Sequence, residues 1–292
     1  MKMSVCVVTY NQEKYIRQCL ESILEQQTNF SFEILIADDC STDNTSKIIA
    51  EYLDEGPNKI KYYRHQKNIG AFKNFLFVHN QVTGEYVAHI DGDDYMLPNK
   101  LQRQTDFLDS HPEYNIVWHE MLFLSNMNVI TQKINPHLLP IDGFTRQDLL
   151  KYGTIGIHSS KMYRSSSKIS NYPDFPILDY FTDVEQIGDG KAKILVGEPL
   201  GAYRMHIGIS SGTSKTLEIL RHTLLYFYDK YPNHKLEINT LLFRLLIAQI
   251  FNKSDTAIIF FNLWVKTFHP LSIFVYVLSI KHIINLRFPI AK

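Results

Sequence analysis

Over about the first 90 residues, short runs of apolar and β-branched residues alternate with segments whose apolar positions recur three and four apart. Runs bounded by polar or turn residues predict strands, and the three-to-four spacing predicts helices with one face inward. The predicted strands are Ser4–Thr9, Phe32–Ala37, Ile60–Arg64 and Tyr86–Ile90. Tyr15, Ile16, Cys19, Leu20, Ile23 and Leu24 mark a helix between the first two. Thr45, Ile48, Ile49, Tyr52 and Leu53 mark the next, introduced by the cap-rich Cys40-Ser41-Thr42-Asp43-Asn44, and Phe72, Phe75, Leu76 and His79 a third. Strand and helix in strict alternation predict βαβ units, a mainly parallel sheet and a three-layer α/β/α class.

Beyond Tyr86–Ile90 the pattern loosens. Pro98 precedes a helix with Leu101, Thr105 and Leu108 inward, stopping before His111-Pro112. Ile116–Leu124 reads as one strand and Asn126–Pro140 as a long loop beside an acceptor cleft. Thr145–Tyr152 and Tyr180–Ile187 predict helices; Ile157–Arg164, Ala192–Val196 and Leu200–Arg204 are extended in pattern. From about Lys215 the chain is helical in period and has no glycine after Gly212. The expected organisation is a catalytic domain over 1–214, with halves 1–110 and 111–214, and a C-terminal helical extension over 215–292.

Composition narrows the classes. Lys+Arg 30 balances Asp+Glu 30, so the global basic field that nucleic-acid binding needs is missing. Cys6, Cys19 and Cys40 lack metal-ligand spacing, and two lie in apolar runs, which fits a reducing cytoplasm. No run reaches the ~20 apolar residues of a spanning helix, and the N-terminus lacks a cleavage-site pattern.

In an open parallel sheet, ligands sit outside the carboxyl ends of the strands. Here those ends are acidic: Asp38-Asp39 after the second strand, Asp91-Gly92-Asp93-Asp94 after the fourth. Clustered carboxylates repel one another unless a cation offsets them. Carboxylate, phosphate and water oxygens together describe a Mg²⁺ or Mn²⁺ nucleotide site. An Asp-Gly-Asp-Asp stretch also serves as an ordinary solvated turn, so its place after a βαβ-type strand carries the argument.

These residues resemble glycosyltransferase family two, whose catalytic domains have the A-type nucleotide-sugar fold. Ser4-Val5-Cys6-Val7-Val8-Thr9-Tyr10-Asn11 is similar to its opening strand, and Glu33-Ile34-Leu35-Ile36-Ala37-Asp38-Asp39-Cys40-Ser41-Thr42-Asp43 to its second strand and acidic turn. Asn68-Ile69-Gly70, Gly84-Glu85-Tyr86 and Asp91-Gly92-Asp93-Asp94, the DXD-type motif, follow in the family's order. Sparser pieces are Leu178-Asp179-Tyr180 and Tyr203-Arg204-Met205-His206, with Gly208 and Ser210 beyond.

The resemblance implies an inverting transferase that uses a nucleotide-sugar donor. Asp39 is then expected to bond the donor base, favouring uracil or thymine, with Thr9 and Tyr10 flanking the nucleoside. Asn68, Gly70 and Lys73 border base and ribose, Asp91 lies near the ribose, and Asp93 holds the metal together with Asp91. His206 is a further candidate ligand, and Arg204 reaches a phosphate oxygen. Cys40 stands where the family commonly has glycine, which implies a different turn there.

Inversion needs an acceptor hydroxyl to attack opposite the leaving diphosphate while a carboxylate takes its proton. Asp179 is the expected base, Asp183 its competitor and Asp174 a weaker one; Asp179 as a mere helix cap is the alternative. Developing charge on the leaving group calls for cations, a role for the metal and Arg204. Gly208, Ser210, Ser211 and Gly212 suggest a loop that folds over donor, and His158, Ser159 and Ser160 an acceptor-facing or buried polar segment.

Thr256–Val265 and Leu271–Ile280 are two apolar runs split by Lys266, His269 and Pro270. With Lys253, Lys281, Arg287 and Lys292 against the single Asp255, the region 253–292 fits an amphipathic face lying on an anionic leaflet. A packed subdomain or a homodimer face fits equally. On the membrane reading the acceptor is a lipid-linked glycan and the setting the cytoplasmic face, in cell-surface polysaccharide assembly. Competing functions are a catalytically silent scaffold subunit and a sugar nucleotidyltransferase; the latter normally carries a glycine-rich loop where this chain has Tyr10-Asn11-Gln12-Glu13. A dinucleotide dehydrogenase is disfavoured because no Gly-x-Gly-x-x-Gly follows the first strand.

Overall fold

The structure, a computed structural model, describes residues 1–53, 59–125, 128–205, 207 and 214–286. The first half alternates as expected: β1 (Met3–Thr9), α1 (Ile16–Leu24), β2 (Phe32–Asp38), α2 (Thr45–Ala50), β3 (Lys59–Arg64), α3 (Ala71–Asn80) and β4 (Tyr86–Asp91). After the short β5 (Tyr95–Met96) come α4 (Lys100–Ser110), β6 (Tyr114–His119), β7 (Met121–Leu124) and β8 (Val129–Thr131). Then follow α5 (Arg146–Tyr152), β9 (Met162–Arg164), α6 (Asp179–Gln186), β10 (Lys191–Leu195) and β11 (Gly201–Arg204). The C-terminal helices are α7 (Ser214–Lys230), α8 (Lys235–Phe251), α9 (Ala257–Lys266) and α10 (Ser272–Asn285).

Seven strands form the main sheet in the order β10-β6-β9-β4-β1-β2-β3, parallel throughout except for β9. Its central strands are buried on both faces, and the period-two alternation divides their side chains between two cores. Val5, Val7, Ile34 and Ile36 pack with α1, α2 and α4; Cys6, Leu35, Ala37 and Val87 join the opposite cluster with α3, α5 and α6. This is a mixed α/β fold with a mostly parallel central sheet and C-terminal helices. Because β1 pairs with both β2 and β4, the carboxyl ends of these three strands lie side by side.

Two expectations are corrected. Ile116–Leu124 is two strands: β6 stays in the main sheet, whereas β7 joins a second sheet ordered β5-β11-β7-β8. The break is at Glu120, whose buried carboxylate accepts from Ile134 N (2.7 Å) and Gly197 N (2.8 Å) and so ties the switch to two loops. Ile157–Arg164 begins as a 3₁₀ turn at His158–Ser160, and only Met162–Arg164 is strand. The Asn126–Pro140 stretch also contains β8 and a 3₁₀ turn at Pro136–Leu138.

The C-terminal helices pack on the α/β layers. Leu224, Phe227, Ile238 and Leu241 share one apolar cluster with Leu149, Leu150 and Phe181, and Gln147 Nε2 bonds Glu237 Oε1 at 2.6 Å. Among the described residues, no helix is long and apolar enough to cross a membrane.

Candidate active site

Where β1 ends, the backbone turns sharply: Asn11 adopts a left-handed φ of 52°, a conformation Asn tolerates better than most residues. Its Oδ1 accepts from Thr42 N at 2.8 Å and its own N–H donates to Ser41 Oγ at 2.9 Å, stitching the β1 exit to the β2 exit. Cys40 is also left-handed, with φ 63°. The turn that was expected to differ is therefore one that a glycine makes freely, and the cysteine carries the Cβ strain.

The two aspartates after β2 have different partners. Asp38 is fully buried and committed, accepting from Ser41 N (2.8 Å), Ser41 Oγ (2.5 Å) and Tyr62 OH (2.8 Å). Asp39 is also buried, at 2% exposure. Its N–H donates to Thr9 O at 3.0 Å, while Oδ1 and Oδ2 accept from Ile69 N (2.7 Å) and Gly70 N (2.8 Å). These bonds, with Gly70 N donating to Asn68 Oδ1 at 3.1 Å, bring Thr9, Asp39, Asn68 and Gly70 together. Each Asp39 oxygen retains a second lone pair for a ligand. Tyr10, next to Thr9, is 44% exposed, and Lys73 is exposed on the first turn of α3.

After β4 the chain folds back in a tight turn, Asp94 N donating to Asp91 O at 2.9 Å. A Cβ on Gly92 would meet Gln12 Oε1 and the Thr9 side chain, so the turn lies tightly against the β1 exit and a larger residue would have to displace the Gln12 amide. Ligand oxygens of Asp91, Asp93 and Asp94 lie within 4.8 Å of one another. Asp93 is pushed up to about 6 by burial and then by the Asp91 charge, and Asp94 is raised by burial, Asp91 and Asp93. Asp94 Oδ1 accepts from Arg204 N at 2.9 Å; its buried Oδ2 has no partner within hydrogen-bond geometry. Crowded hard oxygens, one of them a buried acceptor without a partner, fit a divalent cation.

Arg204 lies beneath this turn. Its guanidinium donates to the Asp93 carbonyl and the Gln18 side chain and packs over the rings of Tyr15 (4.8 Å) and Tyr95 (5.3 Å). It therefore braces the acidic turn from below, a role its expected phosphate contact did not include. His206 and the segment with Gly208, Ser210, Ser211 and Gly212 lie outside the described residues.

Asp179 is the first residue of α6; the cap position belongs to Leu178, so a mere capping role is not what is seen. Its side chain is 52% exposed and lies 3.1 Å from His158 Nδ1. Loss of hydration there, with the charges of Asp91 and Asp183, pushes its carboxyl up to about 7. Asp183, one turn on, is buried and paired with the equally buried Lys161 at 2.8 Å. That pairing removes it from competition for an external hydroxyl. Asp174 is exposed at the surface.

Tyr203 ties the halves together: burial and the charges of Asp94, Asp91, Asp93 and Asp179 together push its hydroxyl up to about 12. Carboxylates from β4, its turn and α6 thus share one locale.

Sequence reasoning placed His158 in an acceptor-facing or buried polar segment and His79 on the inner face of a helix, but it missed His89 and the linkage of these rings to the acids. His89 Nε2 lies 3.3 Å from Asp91 Oδ1, His89 Nδ1 lies 3.0 Å from His79 Nε2, and His79 Nδ1 lies 2.8 Å from Tyr163 OH. Burial lowers the pKa of both imidazoles. With both neutral, one assignment satisfies every contact: Tyr163 O–H donates to His79, His79 to His89, and His89 to Asp91. His158 Nδ1 lies 3.1 Å from Asp179 Oδ1, and its ring stacks on His89 at 3.9 Å. Isolated histidines in sequence give no sign of such pairing. Lys100, also unanticipated, is fully buried, donates to Ser159 O at 2.5 Å and is pushed down to about 7 by burial.

The family model for glycosyl transferase family 2 matches residues 4–170, more than half of the chain. The chain belongs to this family. The match runs from β1 through β9 and so contains Asp39, Asp91 and Asp93, while Asp179 and Arg204 lie beyond it. As a family 2 chain it is 32% identical over 213 residues to the protein Rv1520 of Mycobacterium tuberculosis, covering 70% of this chain and 59% of that one. It thus spans about three fifths of the length of that curated relative. Its fold matches Staphylococcus aureus TarS residues 1–349 in complex with UDP-GlcNAc, with TM-score 0.67 and 22% identity over 98% of this chain and 79% of that one. The mannosyltransferase PcManGT of Pyrobaculum calidifontis, solved with GDP-Man and Mn²⁺, matches at TM-score 0.56 and 14% identity, covering 98% of this chain and 85% of its own.

Proposed function

We propose that this family 2 chain transfers a sugar, with inversion, from a nucleoside-diphosphate donor to a hydroxyl of a glycan or lipid-linked glycan acceptor. The observation that carries the reading is that the Asp91-Gly92-Asp93-Asp94 turn and the separate, half-exposed Asp179 flank one histidine stack: Asp91 lies 3.3 Å from His89, His89 stacks on His158 at 3.9 Å, and His158 lies 3.1 Å from Asp179. One group of acids suits the donor diphosphate and its cation, the other the acceptor.

In this reading Thr9, Tyr10, Asp39, Asn68, Gly70 and Lys73 receive the nucleoside. An acidic acceptor at Asp39 favours a uracil N3–H, and the UDP-GlcNAc bound by the structurally similar TarS supports a UDP-sugar. Asp93 and Asp91 hold Mn²⁺ or Mg²⁺, with His206 a further candidate, and the Mn²⁺ bound by PcManGT supports that choice. When bound, the cation offsets charge on the leaving diphosphate. Arg204 keeps the acidic turn in place and extends the positive field toward the phosphates. The acceptor oxygen attacks the anomeric carbon as the bond to the diphosphate breaks, and its proton passes to Asp179.

The C-terminal face supports attachment to a membrane surface on its cytoplasmic side. Phe251, Phe261, Phe268, Phe274, Val277 and Leu278 are exposed on α8–α10 and the loops between them, with Lys253, Lys266 and Lys281 also exposed. An anionic leaflet complements both features, and a lipid-linked acceptor would be presented there. On this proposal, residues 1–214 carry the chemistry and 215–292 the docking.

A screen of nucleotide-sugars by thermal stabilisation and hydrolysis, with Mn²⁺ and with chelator, tests the reading. The expected result is stabilisation and slow hydrolysis with a UDP-sugar that both require Mn²⁺. Absence of any response to nucleotide-sugars, or one unchanged by chelator, would overturn it.

A further inference from the structure

His89 and Asp91 are two residues apart on β4, so their side chains leave the same face of the sheet, the one on which His79 of α3 packs. The His89 side chain is fully buried and that of Asp91 is 36% exposed, so the pair runs from the core to the surface. His89 Nε2 bonds Asp91 Oδ1 at 3.3 Å and Nδ1 bonds His79 Nε2 at 3.0 Å, while His79 Nδ1 is held by Tyr163 OH at 2.8 Å. An imidazole has three proton arrangements. With a proton on Nδ1 alone, a bare lone pair would face the Asp91 carboxylate. With a proton on Nε2, or on both nitrogens, the ring donates to Asp91, so the bond does not depend on the charge of the ring. A flipped ring would set carbons against both neighbours, and the faces are covered by His158 at 3.9 Å and Phe75 at 5.4 Å.

We propose that His89 is a positioning residue for the metal site: its Nε2–H fixes Asp91 Oδ1 and leaves Oδ2 for the cation. This inference rests on the reading of Asp91 as a metal ligand. A carboxylate at a strand end would otherwise rotate about its terminal torsion, which is broad. The carboxylates of Asp93 and Asp94, with ligand atoms within 4.8 Å of its own, would also drive it toward solvent. A buried donor behind one oxygen opposes both effects and acts before any cation arrives, as hydrogen bonds to ligating carboxylates do in metal sites. His79 and Tyr163 contribute at one remove, by holding the ring that holds Asp91. With its proton on Nε2, His89 is not itself a ligand.

The test titrates the full chain with Mn²⁺ in the presence of UDP and reads an apparent Mn²⁺ affinity from the thermal shift, with Asp91→Ala measured alongside. His89→Met, similar in size but without a donor, is expected to weaken that affinity roughly 10- to 100-fold, the scale for outer-shell partners of metal ligands. Its UDP binding without Mn²⁺ is unchanged, and saturating Mn²⁺ restores its hydrolysis of the best nucleotide-sugar from the screen. His89→Gln, whose amide nitrogen reaches the Nε2 position, recovers most of the affinity. Should His89→Met not fold, His89→Asn replaces it, because its amide reaches the Nδ1 position beside His79 and leaves the affinity low. A wild-type affinity in His89→Met would overturn the proposal. Equal affinities in the Gln variant and its Met or Asn counterpart would do the same, the pattern expected if His89 were itself a ligand. If Asp91→Ala loses Mn²⁺ affinity while His89→Met keeps it, only the positioning role fails; if Asp91→Ala keeps it, the ligand assignment fails and takes this role with it.

Discussion

Asp179 and Asp183 sit four residues apart on α6 and have opposite surroundings. Asp183 and Lys161 are buried together, so Asp183→Asn leaves an uncompensated ammonium inside the protein. The expected cost is about 3–5 kcal/mol in chemical denaturation, the range for breaking a buried pair, with turnover of the remaining folded enzyme unchanged. Asp179 predicts a pH effect instead. Its folded pKa is raised to about 7, so the base form fills as pH rises through that value. The kcat/KM profile should climb to a plateau above about pH 7, and saturating Mn²⁺ should move the limb to lower pH, because a cation on Asp91 removes one cause of the shift. A flat profile from pH 5 to 8 under the same conditions would count against Asp179. At this scale the strand-end position of the acids and the family resemblance pointed to Asp39, Asp91, Asp93 and Asp179. It did not disclose that Asp183 is neutralised by Lys161, or that His89 and His158 back the carboxylates, because such pairs are made by distant segments meeting in the core.

Among the elements, the first four strands were legible because each is bounded by turn residues, and β1, β2 and β4 are also buried on both faces. The run from Ile116 to Leu124 was not, since its apolar pattern continues across a change of sheet. Tertiary contacts make that change. Glu120 N donates to Leu195 O at 3.2 Å and Leu200 N donates to Glu120 O at 3.1 Å, while its side chain takes two loop amides. Glu120→Ala would leave the buried Ile134 N–H without its acceptor, at about 1–3 kcal/mol, and release the Gly197 amide on an exposed loop. Because β7 pairs with β11, which carries Tyr203 and Arg204, Mn²⁺-dependent donor binding should weaken along with the unfolding midpoint. Loss of stability without any change in donor binding would show that the switch serves the fold alone.

For the whole molecule, the two ends of the account are the acid-lined cleft and the apolar C-terminal face. Flotation with vesicles containing anionic lipid should retain the protein at low salt, and Lys266→Glu with Lys281→Glu should release it. Neutral vesicles should bind it less, and added salt should weaken retention. Equal recovery with and without vesicles would assign the face to a protein partner instead. The α/β/α class was legible from alternation of period alone, whereas the sharing of one core by α5, α6 and α7–α10 needed coordinates.

The most direct test sets Asp93→Ala beside Asp179→Asn and follows both the Mn²⁺-dependent thermal shift with UDP-sugar and the transfer or hydrolysis rate. Asp93→Ala should lose both, while Asp179→Asn should keep the shift and lose turnover. A wild-type rate in Asp179→Asn, or an intact Mn²⁺-dependent shift in Asp93→Ala, would contradict the account.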